Sequence, residues 1–288
     1  MTFSKKIIEL DIQLVDRKFQ SGSTKVRIAG LPISVRVDKT GCPAFNTADV
    51  VVRGLSLERM ETLSSISVEM ADDKRHKIQI WAGDDPDFLS LIYVGDIKTA
   101  LADFSSAPDV AMRFECITGY YDALYAQTPI AIKGEAKAAD VVESLAKSIG
   151  YSFTNKGVST AVKDLYLSGD VRTKMIKIAN HVGATLTIDD KQVTLAAQGK
   201  AHSEAVTEVN KDTGLIGYPV LSDKGFTATC LFNPGIFVGS LIQLDSVVPR
   251  AKGKYQVMKL THSIVANDPE GGDWFTTIEG RFYYGFNV

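Results

Sequence analysis

The segment that most limits what this chain can fold into lies between residues 214 and 280. Phe226, Ala228, Cys230 and Phe232 alternate there with Thr227, Thr229 and Leu231. A period of two is that of a strand with one buried face, because successive side chains leave opposite sides of the pleat. Asn233-Pro234-Gly235 then turns the chain, since proline fixes φ and glycine accepts positive φ. A second strand is predicted over 241–244 and a third after Gly253. On the third, Tyr255 and Val257 are expected on one face, with Met258, Leu260 and Ile264 on the other. The loop from Asn267 to Asp273 closes a hairpin into a last strand that starts at Trp274. Four strands with turn chemistry between them predict a small β unit, closed or nearly closed.

Residues 7–119 follow the same grammar. Ile8, Leu10, Ile12 and Leu14 alternate with Glu9, Asp11 and Gln13; Ile33, Val35 and Val37 alternate with Ser34, Arg36 and Asp38; Ala48, Val50 and Val52 follow. Ser56 is placed to cap a short helix reaching Leu63. Further strands are predicted over 65–70, 77–81, 91–95 and 110–118, with polar turns at 72–74 and 82–87. Such a run of short strands separated by Gly, Pro and Asp predicts a barrel or rolled sheet.

The middle reads differently. Val141, Val142, Leu145, Ala146 and Ile149 recur at helical spacing, and Gly150 stands where a helix ends. A second helix is expected over 168–180 with Met175, Ile178, Ala179 and Val182 as its apolar stripe. Residues 184–188 and 192–196 form a predicted hairpin about Asp189-Asp190-Lys191, and 198–209 reads as a polar linker. The helix, glycine and strand order occurs twice, at 149–153 and 182–186, which is ordinary turn chemistry more than duplication.

Chemistry-bearing patterns are scarce. Cys42, Cys116 and Cys230 are three, far apart and without Cys-x-x-Cys spacing, so they read as packing residues. His76, His181, His202 and His262 have no spacing at which two could ligate one metal from a single element. Asp84-Asp85-Pro86-Asp87 and the 267–273 loop lack the ligand spacing of a calcium loop. Neither a nucleophile elbow nor a phosphate-binding glycine loop follows a strand. Acids such as Glu9, Glu69 and Glu115 fall on polar strand faces. A net charge of −2 calls for no specific nucleic-acid binding, and no run of 18 apolar residues predicts a membrane span. No catalytic, cofactor or metal residue is therefore assigned. Trp274, Phe275, Phe282, Tyr283, Tyr284 and Phe286 cover both faces of the last strand. Of these, Trp274, Phe275, Tyr283, Tyr284 and Phe286 are the candidate interaction residues, because aromatics dominate cores and interfaces alike.

Three of these stretches carry a resemblance. The strand ending in Phe-Asn-Pro, the Gly-Ser-Leu-Ile-Gln-Leu and Gly-Lys-Tyr-Gln-Val strands, His262 and the Gly-Gly-Asp-Trp hairpin resemble the last domain of bacteriophage baseplate hub proteins. Ile-Trp-Ala-Gly at 80–83 with Ile-Tyr-Val-Gly-Asp-Ile at 92–97 resembles their first domain. The expected fold is α+β and β-rich, with barrel-like β domains at 1–119 and 206–288 flanking an α+β middle domain at 120–205. The resemblance implies a homotrimer in the virion tail baseplate, present in the host cytoplasm before assembly. It further implies a symmetry adapter between a six-fold tail tube, or a distal tail protein, and a three-fold central spike protein, acting by assembly and not as an enzyme. The alternative is a cell-wall hydrolase or carbohydrate-binding module, since the middle region loosely resembles a small peptidoglycan-binding fold.

Overall fold

The computed structural model describes residues 5–15, 17–64, 76–105, 107–124, 127–223 and 225–283. The strand expected over 65–70, the 72–74 turn, Glu69, Tyr284 and Phe286 lie outside the described residues. The N-terminal region forms β1 (Ile7–Gln13), β2 (Lys25–Ile28), β3 (Ile33–Thr40) and β4 (Thr47–Arg53), then helix α1 (Leu57–Ser64). It continues with β5 (Lys77–Gly83), β6 (Ser90–Asp103) and β7 (Ala111–Ile117). The alternating apolar residues Ile8, Leu10, Val35, Val37, Val50 and Val52 all enter one core, as their period predicts. Ser56 caps α1, its hydroxyl accepting from the Arg59 N–H at 3.4 Å. The helix packs on β6 and adds Met60 and Leu63 to the same core, to which β6 contributes Ala100.

The middle region comprises α2 (Tyr120–Leu124), β8 (Gln127–Lys137), α3 (Ala138–Ser148) and β9 (Ser152–Lys156). After them come β10 (Ala161–Gly169), α4 (Val171–His181), β11 (Thr185–Asp189) and β12 (Gln192–Ala196). Val142 and Leu145 of α3 meet Met175 and Ile178 of α4 in a second core, with Val141, Ile149 and Val182 at its margin. Gly150 ends the first helix at φ 75°, where a Cβ would be strained. Asp170 starts the second helix by accepting from the Thr173 N–H at 2.8 Å. β9 lies parallel to β12, and β12 pairs antiparallel with β11. The unforeseen pair is β8 with β10, a separate two-stranded sheet.

The C-terminal region forms β13 (Val206–Val209), β14 (Leu215–Ser222), β15 (Gly225–Leu231), β16 (Leu241–Leu244), β17 (Gly253–Ala266) and β18 (Trp274–Phe282). Phe226, Ala228, Cys230, Tyr255, Val257, Leu260 and Ile278 belong to its own core. Two expectations are corrected here. β13 lies inside the stretch read as linker, because parallel pairing to β16 supplies hydrogen bonds that the local pattern does not announce. The change of face after Val257 does not occur. A β-bulge between Val257 and Lys259 absorbs one residue, so Leu260 and Ile264 return to the buried face and Met258 is left 37% exposed.

The two β regions share one sheet. β17 pairs antiparallel with β3 from Lys259 opposite Thr40 to Ala266 opposite Ile33. The path of the 13-stranded sheet runs β14-β15-β18-β17-β3-β4-β7-β6-β5-β1-β2, with β16 on β17 and β13 on β16. β17 and β18 cross both cores: Tyr255 and Ile278 lie in the C-terminal one, Ile264 and Trp274 in the N-terminal one. Along its strand order the sheet is open, so closure into barrels is not part of the hydrogen-bonded arrangement among the described residues.

Within this sheet one strand order occurs twice. The N-terminal order β3-β4-β7-β6-β5-β1 corresponds to β14-β15-β18-β17-β16-β13, strand for strand and in the same chain sequence. The registers correspond as well. In β6 a bulge precedes Thr99 opposite Glu115; in β17 a bulge precedes Lys259 opposite Glu279. Asp49 of β4 faces Glu115 as Thr227 of β15 faces Glu279. The copies differ at one edge: β1 is antiparallel to β5, β13 is parallel to β16, and β2 pairs on β1 with no counterpart beyond β13 among the described residues.

Candidate functional site

The features able to engage other molecules are the face of the shared sheet turned from its cores, its strand edges, and the seam where the middle unit docks. Directly opposed residues on neighbouring strands share a face. Thr277, Thr261, Asp38 and Thr47 therefore line up across the sheet, as do Glu279, Lys259 and Thr40, and as do Arg36, Asp49 and Glu115. Opposite charges are paired along this face: Arg36 with Asp38 at 2.9 Å, Lys259 with Glu279 at 3.1 Å, Lys98 with Glu115 at 3.6 Å and Arg113 with Asp103 at 2.9 Å. The Asp49 carboxyl is raised by partial burial and by Glu115 and Asp38 beside it. Exposed pairs of this kind contribute less than about 1 kcal/mol each, so they make the face hydrophilic without holding the fold together.

The seam is held by the buried ammonium of Lys39. It lies 2.9 Å from Asp189 and 2.7 Å from Asp190, at the β11–β12 turn. Burial acts to lower the Lys39 pKa, but Asp189 and Asp190 together outweigh it and keep it raised and charged. Asp190 also accepts from the Val94 N–H at 2.8 Å, and Asn46 donates to Asp189 at 2.9 Å. Arg172 of α4 donates to the Pro43 carbonyl at 3.1 Å and stacks 4.1 Å from the centre of the Phe45 ring. The middle unit therefore grips the β3–β4 loop and the end of β3. A cavity of about 400 Å³ remains along the seam, lined by Lys39, Lys156, Asp190, His202, Phe237 and His262.

Two of the four histidines are buried. His262 is buried, hydrogen-bonded to Thr276 at 2.9 Å, and held neutral, its pKa pushed down to about 3 by burial and by Lys39. His76 is buried and within 3.3 Å of the Val15 N–H. Asp85 and Asp268 each accept a backbone N–H two residues on, within their turns. Among the described residues, no three His, Cys, Asp or Glu side chains lie together as a metal site. Likewise, no described helix is long and apolar enough to cross a membrane.

The candidate aromatics separate into different settings. Trp274 is 8% exposed in the N-terminal core, 5.1 Å from Phe232, with Lys6 over its ring at 5.7 Å. Phe275 is half-buried on the opposite face, across from Leu231. Tyr283 is half-buried under Lys254, 5.6 Å from the ring centre. Trp274 and Phe275 lie on opposite faces of β18, and Tyr283 follows its last residue, Phe282. Spacing did not point to the exposed apolar side chains of β14, Ile216, Tyr218 and Val220, nor to Leu101 and Phe104 at the end of β6. The signal was present in Leu-Ile-Gly-Tyr-Pro-Val, but glycine and proline mask its alternation.

Residues 10–278 match the model of a family described as baseplate hub gp41. The chain belongs to this baseplate hub family. A baseplate hub is a structural component of a phage tail, and the hub's fold recurs in solved tail proteins. It is similar to a tail protein from Neisseria meningitidis MC58, with a TM-score of 0.64 at 9% identity, covering 95% of this chain and 96% of that one. The prophage MuSo2 43 kDa tail protein from Shewanella oneidensis gives 0.61 at 8% identity, with 95% and 96% covered. The E. coli c3393 protein, a type VI secretion component described as similar to the T4 tail proteins gp27 and gp5, gives 0.61 at 10% identity, with 96% and 78% covered. No curated protein matches the hub in sequence.

Proposed function

We propose that this hub is the symmetry adapter of its tail. Three chains assemble, and the β units at 1–119 and 206–288, each barrel-like, present six similar modules to a six-fold tail tube or a distal tail protein. The middle unit at 120–205 and the opposite side face a three-fold central spike protein. The chain acts by assembly, in the virion baseplate, after synthesis in the host cytoplasm. The observation that carries this reading is the strand order repeated with the same bulge in the same register. A closed trimer has three equivalent sites where a six-fold ring has six, and two like modules per chain remove the mismatch. Phe275 on the last strand and Tyr283 just after it serve as interface aromatics, together with Tyr284 and Phe286, and Trp274 anchors the strand's start. Solution mass decides the first step: the purified hub is expected at three times 31.3 kDa. A single-chain mass at every concentration would remove the adapter mechanism.

A further inference from the structure

The adapter reading leaves the seam cavity without a role, and its walls are of two kinds. The three-stranded sheet of the middle unit sends one face into the second core, through Leu186, Ile188, Val193 and Leu195. Its other face borders the cavity. Thr187 stands opposite Thr194, and Thr194 opposite Thr154, so a row of three hydroxyls crosses that face. Gln192 joins the row, its side-chain amide donating to the Thr154 hydroxyl at 3.0 Å. Thr187 is 4% and Thr194 9% exposed, yet no hydrogen bond of the protein engages either hydroxyl among the described residues. Buried hydroxyls without a partner are uncommon, because each gives up its bond to bulk water.

The facing wall comes from the C-terminal unit. Ile236 and Val238 enter that unit's core, while Phe237 between them stays 38% exposed at the cavity. The segment around His202 fixes this loop in place: Gly239 has φ 88°, and a Cβ on it would collide with the His202 ring. Burial, with Lys156 beside it, lowers the His202 pKa and keeps that ring neutral. Leu91 of the N-terminal unit adds a further apolar side chain to the cavity. The charges in the walls balance, since Lys39 and Lys156 stand against Asp189 and Asp190.

We propose that this cavity binds an uncharged saccharide unit. A pyranose ring carries hydroxyls around its edge and C–H groups on its faces. The edge meets the threonine row and Gln192, whose hydroxyl and amide groups both donate and accept. One face lies on the Phe237 ring, with Leu91 beside it. The cavity, about 400 Å³, falls within the range of small-molecule sites, about 300–1,000 Å³. A purely apolar ligand would leave the threonine hydroxyls unpaired, and an ion would enter a site whose own charges are already matched. All three units contribute to the walls, so a bound sugar ties them together across the seam and raises the melting temperature.

Titration calorimetry and thermal unfolding of the full chain test the site, with glucose, galactose, N-acetylglucosamine and N-acetylgalactosamine as probes. At least one is expected to bind saturably at millimolar concentration and to raise the melting temperature. Thr187→Val with Thr194→Val removes the two hydroxyls and nearly keeps their shape. It should weaken binding about tenfold or more, and leave the sugar-free melting temperature level or higher, because no protein hydrogen bond is lost. Phe237→Ala, at a partly exposed side chain, should weaken binding as well, and serves if the threonine variant does not fold. Saturable binding that neither variant changes places the sugar elsewhere and overturns the site. Tighter binding of glucuronate or glucosamine overturns the uncharged ligand. No saturable heat and no shift in melting temperature from any of the four sugars overturns the proposal and leaves the cavity to water. Each of these results leaves the adapter reading standing, since solution mass decides that reading separately.

Discussion

At matched places in the two β units, Ala48 faces Cys116 while Phe226 faces Gly280. The N-terminal pair divides the space between two small side chains; the C-terminal pair gives it to one ring lying against a bare backbone. A Cβ on Gly280 would come within 2.5 Å of the Phe226 ring and 2.9 Å of the Gln256 carbonyl oxygen. Packing selects the volume of a pair more strongly than the identity of either member. Two copies of one sheet can therefore keep strand order, register and bulge while their sequences drift apart. The units also differ in load. The middle unit seats on the end of β3 through Lys39, and the matching end of β14 carries no such latch among the described residues.

The largest expected effect at neutral pH comes from breaking that asymmetry. Lys39→Ala leaves the half-buried carboxylates of Asp189 and Asp190 without their cation, and should cost about 2–3 kcal/mol in urea unfolding, below the loss for a fully buried pair. A loss within experimental error would mean that the seam is hydrated and the latch contributes nothing.

Next is acid sensitivity at His262, where the two cores meet. Its folded pKa is depressed to about 3 from the ordinary 6.5, so the unfolded chain takes up the proton first. Its stabilisation is present above pH 6.5 and is lost as pH falls toward 3, of the order of 3 kcal/mol by pH 4. His262→Gln should flatten this part of the stability profile relative to the parent. Parallel profiles would show that carboxylates alone account for acid unfolding.

A smaller effect sharpens the volume argument. Gly280→Ala should cost about 1–3 kcal/mol by overpacking against Phe226, whereas Cys116→Ala at the matched position should cost about 1 kcal/mol. Equal losses would mean that the two pairs are not equivalent. In the native protein Cys116 and Cys230 should also resist thiol reagents. Both are buried, which pushes Cys230 up to about 11 and Cys116 higher still. The smallest effect is expected on the polar face, where Lys98→Ala and Lys259→Ala should each change stability by less than about 1 kcal/mol, measured by thermal unfolding.

Most strands with a clean period were legible: Ile8 to Leu14, Ile33 to Val37, Ala48 to Val52 and Phe226 to Cys230 all bury the alternate residues they were expected to bury. So were both long middle helices, where Val142 and Leu145 face Met175 and Ile178. The two strands missed in the C-terminal region share a cause. β13 is four residues of Val-Thr-Glu-Val, and β14 is interrupted by Gly217 and Pro219, so neither has enough period to be seen. Composition and spacing singled out the candidate aromatics. They missed the seam: Lys39 alternates in phase with Ile33, Val35 and Val37, and a lysine at the end of such a row reads as a solvent-reaching tail until Asp189 and Asp190 are brought to it.

By itself, the sequence determined most of the segments that are strands or helices and, for most of those, which face each buries, because those properties depend on side chains a few residues apart. Tertiary structure alone decided that β17 would lie against β3, that a bulge at Met258 would restore one buried face, and that two β regions would become one sheet with a repeated order. The physical reason is that the bonds joining strands belong to the backbone and are the same for every residue except proline. Which strand meets which is settled by the burial of whole faces and the reach of intervening segments, here across more than two hundred residues between β3 and β17.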